Sequence, residues 1–343
     1  MKSFTAIPLV VILFGCLALV CSCQRRPFSS RHTGVNLLLK INTKIVNQNN
    51  VPVPANMRVA MFDPDGGDIQ YSDFVGSEGG YISPEPGMYD VIVYNFETES
   101  TIVRGDDNYF TAEAYTNEIS SYLKGQLKSL IEMRRELRME KVSASSIEGN
   151  DTKFDTDEPI VYEPDHIFVG RVRGQEIPQL LLEEGDREIV IEVNAESLVE
   201  TWNVEIHGVE GAEYISSVSA IISGQAASSF LYSGEDSKES VSVYFTMQTN
   251  KMKGSDEGMI MGTFNTFGKI PGVTSDLSLD VSVTNTAGDT YNLHYDVTSD
   301  FMDNPDQLIV IEDDISIDPP SSGGGGFDPS VEDWDDVETD IEL

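Results

Sequence analysis

Residues 277–298, LSLDVSVTNTAGDTYNLHYDVT, place this chain among the β-proteins. Two strand-like runs, 277–285 and 290–298, flank a short break that contains Gly and Asp. Strand-like runs at regular spacing with such breaks are typical of a β-sandwich. We therefore predict an all-β C-terminal domain over residues 160–320. Six further runs of this kind lie beyond residue 160: REIVIEVNA (187–195), TWNVEIHG (201–208), YISSVSAIISG (214–224), SVSVYFTMQT (240–249), MIMGTFNTFG (259–268) and LIVIEDDISI (308–317).

The region before residue 141 is also rich in strand-like runs. VNLLLKINTKIV begins at Val35, and MRVAMF ends at the strong turn signal DPDGG. In MYDVIVYNF (88–96), alternate residues from Tyr89 to Asn95 share one face, as in a strand. These runs predict a second β-sandwich domain at the N-terminal side, over residues 34–141.

Residues 117–141 break the strand pattern. Their apolar residues recur at intervals of three and four, which predicts one amphipathic helix after the first domain. We expect Thr116 or Asn117 to cap the helix, and basic residues from Arg134 to Lys141 to lie near its end, where cations suit the helix dipole. The stripe is expected to pack on a sheet, and a groove for a cofactor or partner is the alternative. Its members are Ile119, Tyr122, Leu123, Leu127, Leu130, Ile131 and Leu137. Residues 142–159 are predicted to be a linker.

The first residues are typical of an export signal. Lys2 precedes an apolar run from Phe4 to Val20 that contains no acidic residue. The segment VCSC (20–23) has the form of a bacterial lipobox, in which the last cysteine is lipidated. We predict that residues 1–22 are a lipoprotein signal peptide, that Cys23 carries the lipid and that residues 23–33 form a tether. Cys16 is the weaker candidate, and ordinary signal cleavage is the alternative.

Cysteine usage and charge limit the function classes. All three cysteines lie at or before residue 23, so the rest of the chain has no disulfide and must be held by its core. The chain has 58 Asp and Glu against 22 Lys and Arg, a net charge of -36. Such a surface repels phosphates, so we expect no nucleic acid and no anionic lipid headgroup as partner.

The sequence contains no recognisable catalytic or cofactor pattern. His32, His166, His207 and His294 lack metal-ligand spacing. No HExxH, CxxC, GxSxG, phosphate-binding glycine loop or dinucleotide fingerprint occurs. We therefore predict a protein that is not an enzyme and that has no cofactor.

Two short motifs have a sharper interpretation and a plainer one. Asp63, Asp65 and Asp68 in DPDGGD are weak candidates for a cation site, and a hairpin turn is the preferred interpretation. Arg104, Gly105 and Asp106 form an RGD tripeptide, which in animal matrix proteins binds integrins. Here we expect Gly105 to be a turn residue.

Residues 321–343 combine a Gly-rich hinge with an acidic tail. Val337, Thr339, Ile341 and Leu343 share one parity, and acidic residues occupy the other, which is the period of a half-buried strand. With Trp334 as a possible anchor, this segment suits the addition of a strand to a sheet edge. The edge could belong to its own domain or, in strand exchange, to a neighbouring molecule.

Several segments of the chain also carry a resemblance in their order. They are the lipobox cysteine, VPANMRVAMFDPDGG (53–67), PEPGMYDVIVYNFETES (84–100), PDHIFVG (164–170) and GGGGFDPSVEDWDDVETDIEL (323–343). Together they resemble a family of Bacteroidales outer-membrane lipoproteins of uncharacterised function, related to fimbrillins and fimbrial anchors.

This resemblance implies two tandem transthyretin-like β-sandwiches in a lipoprotein precursor. It also implies association with other fimbrial subunits by strand exchange. In polymerising fimbrillins an arginine-specific protease removes an N-terminal strand and opens a groove for a neighbour's strand, whereas anchor subunits keep that strand. Arg25, Arg26, Arg31 and Arg104 are the candidate cleavage sites here.

The leading hypothesis is therefore a lipid-anchored, structural or adhesive protein of the outer membrane, similar to a fimbrial subunit or anchor. The alternative is a lipoprotein that binds a carbohydrate or cation for an uptake system. Surface lipoproteins of these bacteria carry an acidic signal after the lipidated cysteine, whereas this chain has Gln24, Arg25 and Arg26. The periplasmic face of the membrane thus remains the alternative to surface exposure.

Overall fold

The computed structural model describes residues 35–41, 51–148, 158–179, 189–251, 257–270, 277–301 and 304–320. Its α-helices are α1 (Ser121–Gln126) and α2 (Lys128–Glu148). The described part of the chain is mainly β, as predicted. Its strands, in chain order, are β1 (Val35–Ile41), β2 (Asn56–Phe62), β3 (Ile69–Gly76), β4 (Gly79–Ile82), β5 (Gly87–Asn95), β6 (Thr101–Arg104), β7 (Glu113–Thr116), β8 (Ile160–Tyr162), β9 (Phe168–Ile177), β10 (Ile189–Ser197), β11 (Glu200–Glu210), β12 (Ile215–Ala226), β13 (Ser228–Phe230), β14 (Ser240–Lys251), β15 (Glu257–Thr266), β16 (Ser278–Asn285), β17 (Thr290–Asp296) and β18 (Leu308–Ser316).

Seven strands close into a barrel in the order β1-β10-β9-β5-β2-β3-β4, and β4 pairs with β1. Alternate residues face the interior; in β10, for example, Ile191, Val193 and Ala195 are buried, whereas the residues between them are exposed. Apolar side chains from all seven strands form one core inside the barrel. A one-residue slip of any strand would turn its apolar side chains outward, so this core holds the register.

A second core lies against the outside of the barrel. The outward side chains of β2 and β5, such as Phe62 and Ile92, pack against Tyr109 and Leu231. These two residues belong to loops of a three-stranded sheet, β13-β7-β6. Strands that are covered on both faces are apolar on both, which explains the nearly continuous burial of β5.

The remaining strands form a sheet in the order β17-β16-β12-β14-β15-β11-β18, with β8 paired to β14. The sheet curls so that its two edge strands approach each other: Tyr295 Oη of β17 at one edge donates a hydrogen bond to Asp313 Oδ2 of β18 at the other edge (2.7 Å). Inside the curl, Val204, Phe245 and Val281 belong to a core drawn from every strand of the order. Both edges thus meet through side chains.

The predicted helical segment is present, but it forms two helices, α1 and α2, rather than one, and its ends differ from the prediction. Ser120 is the N-cap, since its Oγ accepts a hydrogen bond from Leu123 N (3.2 Å); Thr116 ends β7 and Asn117 lies before the cap. The second helix runs to Glu148, so Arg134 lies in its middle rather than near its end. Residues 142–148, predicted to be linker, are therefore helical. Among the described residues, no helix is long and apolar enough to cross a membrane.

Most residues of the predicted apolar stripe pack against the sheet, as expected. Ile119, Leu127 and Leu130 are buried with Ile160 and Ile221 of the curled sheet, whereas Leu123 is half-buried in the same cluster. Tyr122, predicted to be part of the stripe, is 76% exposed. It lies in α1 beside Leu123 but is not a member of the cluster.

One predicted strand, β10, and the unpredicted strand β9 lie in the barrel rather than in the predicted C-terminal sandwich. Residues 168–197 were expected in the C-terminal sandwich, but β9 and β10 pair with β5 and β1 in the barrel. The chain thus enters the curled sheet at β8, returns to the barrel and enters the curled sheet again at β11. A strand-like run has the same pattern in either sheet, so the sequence could not distinguish them. The domain boundaries and the transthyretin-like sandwich arrangement stay predictions.

Candidate functional site

Strand β1 occupies the position that closes the barrel. It pairs in parallel with β10 and antiparallel with β4, so that Leu37 lies opposite both Ile191 and Gly80. Val35, Leu37 and Leu39 are buried in the barrel core. Without β1, two strand edges and an apolar slot between them would be open. Such a slot is the geometry that accepts an added strand.

The turn between β3 and β4 is fitted closely to β1. Gly79 has a φ of +100°, and a Cβ at this position would lie 1.9 Å from the carbonyl oxygen of Leu37. Leu39 N also donates a hydrogen bond to Glu78 O (3.1 Å). Any residue with a side chain at position 79 would push β1 out of place. The slot is therefore shaped for a strand.

The edges of the curled sheet form a second place where a strand could be added. In the described part of the chain, β17 pairs along one side with β16, and β18 pairs along one side with β11. Tyr291 and Leu293 of β17 and Ile311 of β18 are half-buried against the core. Burial and the hydrogen bond to Asp313 raise the pKa of Tyr295, so its hydroxyl stays protonated and bridges the edges.

A buried ionic network fastens α2 to the curled sheet. Arg134 Nε donates to Asp280 Oδ2 (2.7 Å), and Arg134 Nη2 donates to Ser242 Oγ (2.6 Å). Arg138 pairs with Glu158. Burial by itself raises the pKa of Glu158, but Arg138 and hydrogen bonds from serine hydroxyls outweigh it and hold this pKa below its usual value. The network holds α2 on the sheet, and within it each guanidinium is paired with a carboxylate.

The DPDGGD loop is a hairpin turn between β2 and β3. Asp63 N donates to Asp68 O (2.9 Å), and Asp63 Oδ1 accepts from Asp65 N (3.0 Å). The side chain of Asp68 binds a residue outside the loop, since Asp68 Oδ1 accepts a hydrogen bond from Asn108 Nδ2 (3.1 Å). Among the described residues, no group of three or more His, Cys, Asp or Glu is placed to hold a metal ion.

The RGD tripeptide is a turn whose charged ends are held by neighbours. Gly105 has a φ of +63°, which confirms that it is a turn residue. Arg104 Nε donates to Glu113 Oε1 (2.5 Å), and the Asp106 carboxylate accepts from Tyr94 Oη (2.8 Å) and pairs with Arg58. The charged groups of Arg104 and Asp106 thus both bind side chains of this protein.

Three of the four histidines lie in the described residues, each with different partners. His166 Nδ1 lies 2.8 Å from Ser197 Oγ, and His166 Nε2 lies 2.8 Å from Thr201 Oγ1. His207 pairs with Glu205, and His294 pairs with Asp280. Each ring takes part in local hydrogen bonding, which is a structural role.

Several predicted site residues lie outside the described residues. They are the lipidation residue Cys23, the candidate cleavage sites Arg25, Arg26 and Arg31, and the docking residues Trp334, Val337, Thr339, Ile341 and Leu343. These assignments stay predictions. Sequence reasoning missed the closing role of β1, although the alternation of Val35, Leu37 and Leu39 was visible in VNLLLKI.

Comparisons with known proteins agree with a fimbrial relationship. Residues 22–246 match the model of a family described as a domain of unknown function, DUF5119. A Bacteroides ovatus protein with the provisional name fimbrium anchoring subunit Fim4B is 22% identical over 97% of both chains.

Two solved structures are similar to this chain, and the first shares its fold. A Bacteroides ovatus protein provisionally described as an adhesin has a TM-score of 0.52 at 20% identity, over 87% of this chain and 98% of that chain. The fimbrial anchor protein Mfa2 from Porphyromonas gingivalis has a TM-score of 0.43 at 13% identity, over 78% of this chain and 83% of that one.

Proposed function

The chain belongs to the DUF5119 family, and from its similarity to a fimbrium anchoring subunit of provisional name we propose that it is a lipid-anchored, non-enzymatic fimbrial protein that serves as an anchor in the outer membrane. The relationship to a provisionally named anchoring subunit, which extends over nearly the whole of both chains, supports a structural or adhesive role in the cell envelope. Its partners would be the membrane, through lipid on Cys23, and other fimbrial subunits.

The observation that carries the anchor assignment is the seating of β1 in the closed barrel. In the fimbrillins that the sequence resembles, polymerising subunits lose an N-terminal strand and anchors keep it. Cleavage at Arg25, Arg26 or Arg31 would leave β1 in place, because all three precede Val35. Residues 42–55, which connect β1 to β2, contain no arginine. Cleavage at Arg104 would separate β2 to β5 along with β1.

An arginine-specific protease therefore has no place to release β1 alone. The barrel keeps its own closing strand, and a neighbouring subunit would be bound elsewhere. In the described structure β17 and β18 each have one side without a strand partner, and these sides suit such a contact.

The test is to produce Cys23→Ala in cells that otherwise lack this protein. We expect the variant to lose fatty-acid labelling, to leave the membrane fraction and to release fimbriae into the medium. Cys16→Ala is the matched control and should do none of these. Release by Cys16→Ala, or membrane-bound fimbriae with unlabelled Cys23→Ala, would contradict the proposal.

A further inference from the structure

Two exposed aromatic rings lie side by side on the outside of the barrel. Phe74 on β3 is 59% exposed, and Phe96, which directly follows β5, is 41% exposed. Their ring centroids are 5.0 Å apart, and the rings are tilted by 59°. Single exposed aromatic residues are ordinary, whereas two exposed rings in contact form a small continuous apolar surface.

The pair lies at the uncovered end of a barrel face. On this face Phe74 is paired with Arg58, and Arg58 with Tyr94. Farther along the same strands, the outward residues Phe62 and Ile92 are covered by the second core. That cover stops near Tyr94, whose hydroxyl donates to Asp106. The aromatic rings are therefore partly exposed, while β2, β3 and β5 beneath them are paired in the barrel.

Polar groups surround the rings in fixed positions. Arg58 Nε donates to Ser72 Oγ (3.1 Å), Arg58 Nη1 donates to Tyr94 Oη (2.8 Å), and the guanidinium pairs with Asp106. Asn56 Nδ2 donates to Glu97 Oε1 (2.9 Å). Asn56 and Glu97 are exposed, so each has further hydrogen-bonding capacity toward solvent. We call Asn56, Arg58, Ser72, Phe74, Phe96 and Glu97 the Phe74–Phe96 platform.

Aromatic faces beside an amide, a carboxylate, a hydroxyl and a guanidinium are complementary to a sugar ring. The C–H face of a pyranose packs on aromatic rings, and its hydroxyl groups both donate and accept hydrogen bonds. The charge balance selects among sugars. Arg58 is outweighed locally by Asp106 and Glu97, and the chain as a whole has a net charge of -36, so acidic glycans are repelled.

We propose that the Phe74–Phe96 platform binds a neutral glycan. This inference rests on the adhesive part of the proposed function, because it supplies the ligand that the adhesion would use. The site is separate from β1 and from the edges of β17 and β18, so the barrel can present it while the fibre is anchored.

The test uses the full-length, detergent-solubilised protein on an array of neutral gluco-, manno- and galacto-oligosaccharides, with uronic-acid oligosaccharides on the same array. We expect binding to a neutral subset and at least a tenfold loss of affinity in the double variant Phe74→Ala, Phe96→Ala. Asn56→Ala should weaken binding while leaving the rings in place. Tyr122→Ala, which removes a more exposed ring on α1, is the matched control and should bind normally.

Three outcomes would overturn the proposal: no neutral glycan retained, equal retention by the double variant, or preference for the uronic acids. Sedimentation of the same samples checks for a second copy as occupant; a dimer that the double variant abolishes would likewise overturn it. Cells that carry the double variant should still anchor fimbriae. Failure of the anchoring experiment with Cys23→Ala would leave the glycan result unaffected, so the two proposals are tested separately.

Discussion

The carboxyl group of Asp236 lies in surroundings that disfavour its ionised form. It follows β13, forms an isolated bridge with Ser229, and lies so close to the backbone of Gly268 that a Cβ there would be 3.1 Å from Asp236 Oδ2. Burial raises the pKa of Asp236 from 3.8 to about 6, and the charge on Glu200 adds to this, whereas a hydrogen bond from Ser229 opposes it. The ionised form is thus disfavoured in the folded state.

The raised pKa of Asp236 makes the free energy of unfolding depend on pH in a definite direction. Between about pH 4 and pH 6 the folded state holds a proton that the unfolded state has lost, so the stability contributed by this group falls as the pH rises through that window. We expect Asp236→Asn to stabilise the protein by about 1 kcal/mol at pH 7.5, a value reduced for partial solvent exposure. At pH 4 the difference should be near zero.

Urea denaturation of both proteins at the two pH values checks this. Asp107→Asn, at an exposed position, is the control and should have little effect at either pH. An equal gain for Asp236→Asn at pH 4 and pH 7.5 would show that titration is not its cause.

Sequence reasoning works at single residues when the cause is local. Gly105 was predicted to be a turn residue, because Gly permits a positive φ whatever surrounds it. The role of Arg134 could not be predicted in this way. Its partner Asp280 is 146 positions away, and the prediction placed Arg134 at a helix end instead.

At the scale of elements, periodicity predicted the helix because helical spacing is a property of adjacent residues. The cap and the end were missed for different reasons. Thr116, Asn117 and Ser120 are all residue types that can cap a helix. Thr116 is not available as a cap because it belongs to β7, which pairs with β6. The helix continues past Lys141, where no residue of the sequence forces a stop.

Leu127 tests the packing of this helical region. It is 4% exposed, in a cluster with Leu130, Ile160 and Ile221. We expect Leu127→Ala to destabilise the protein by about 2–5 kcal/mol, the usual cost of a leucine truncated in a buried site. Thermal denaturation measures it. Tyr122→Ala, at a 76% exposed position in α1, is the control and should change stability by less than about 0.5 kcal/mol. Unchanged melting of Leu127→Ala would show that the stripe does not pack on the sheet.

At the scale of the whole molecule, the sequence predicted strands better than their partners. The run that became β10 was predicted to be a strand, whereas β9 was not among the predicted runs, and both return to the barrel after β8 has entered the curled sheet. The partners of a strand depend on long-range packing, which a local pattern does not record. The same holds for β1: its alternation was visible, but its closing position depends on β10, about 150 residues later.

The curled sheet has two strand sides on which the acidic segment 327–343 could dock. This segment has eight carboxylates and no Lys or Arg, so in solution it would repel itself and stay extended. Its apolar row from Val337 to Leu343 suits pairing with an exposed strand, and β17 and β18 each present a free side in the described structure. The glycines at 323–326 allow it to fold back. A short flexible tether gives roughly millimolar effective concentration, which favours docking within one molecule.

We therefore expect truncation after Gly326 to lower the melting temperature of the dilute monomer, by about 2–4 °C for each kcal/mol of docking energy. Exchange of Val337 and Ile341 for Ser should reproduce the loss, because these residues would face the core. Exchange of Glu338 and Asp340 for their amides is the matched control and should leave melting unchanged. If truncation leaves the monomer unchanged and abolishes assembly with other subunits, the segment is a donor strand for a neighbour. If melting and assembly are both unchanged, residues 337–343 do not act as a strand at all.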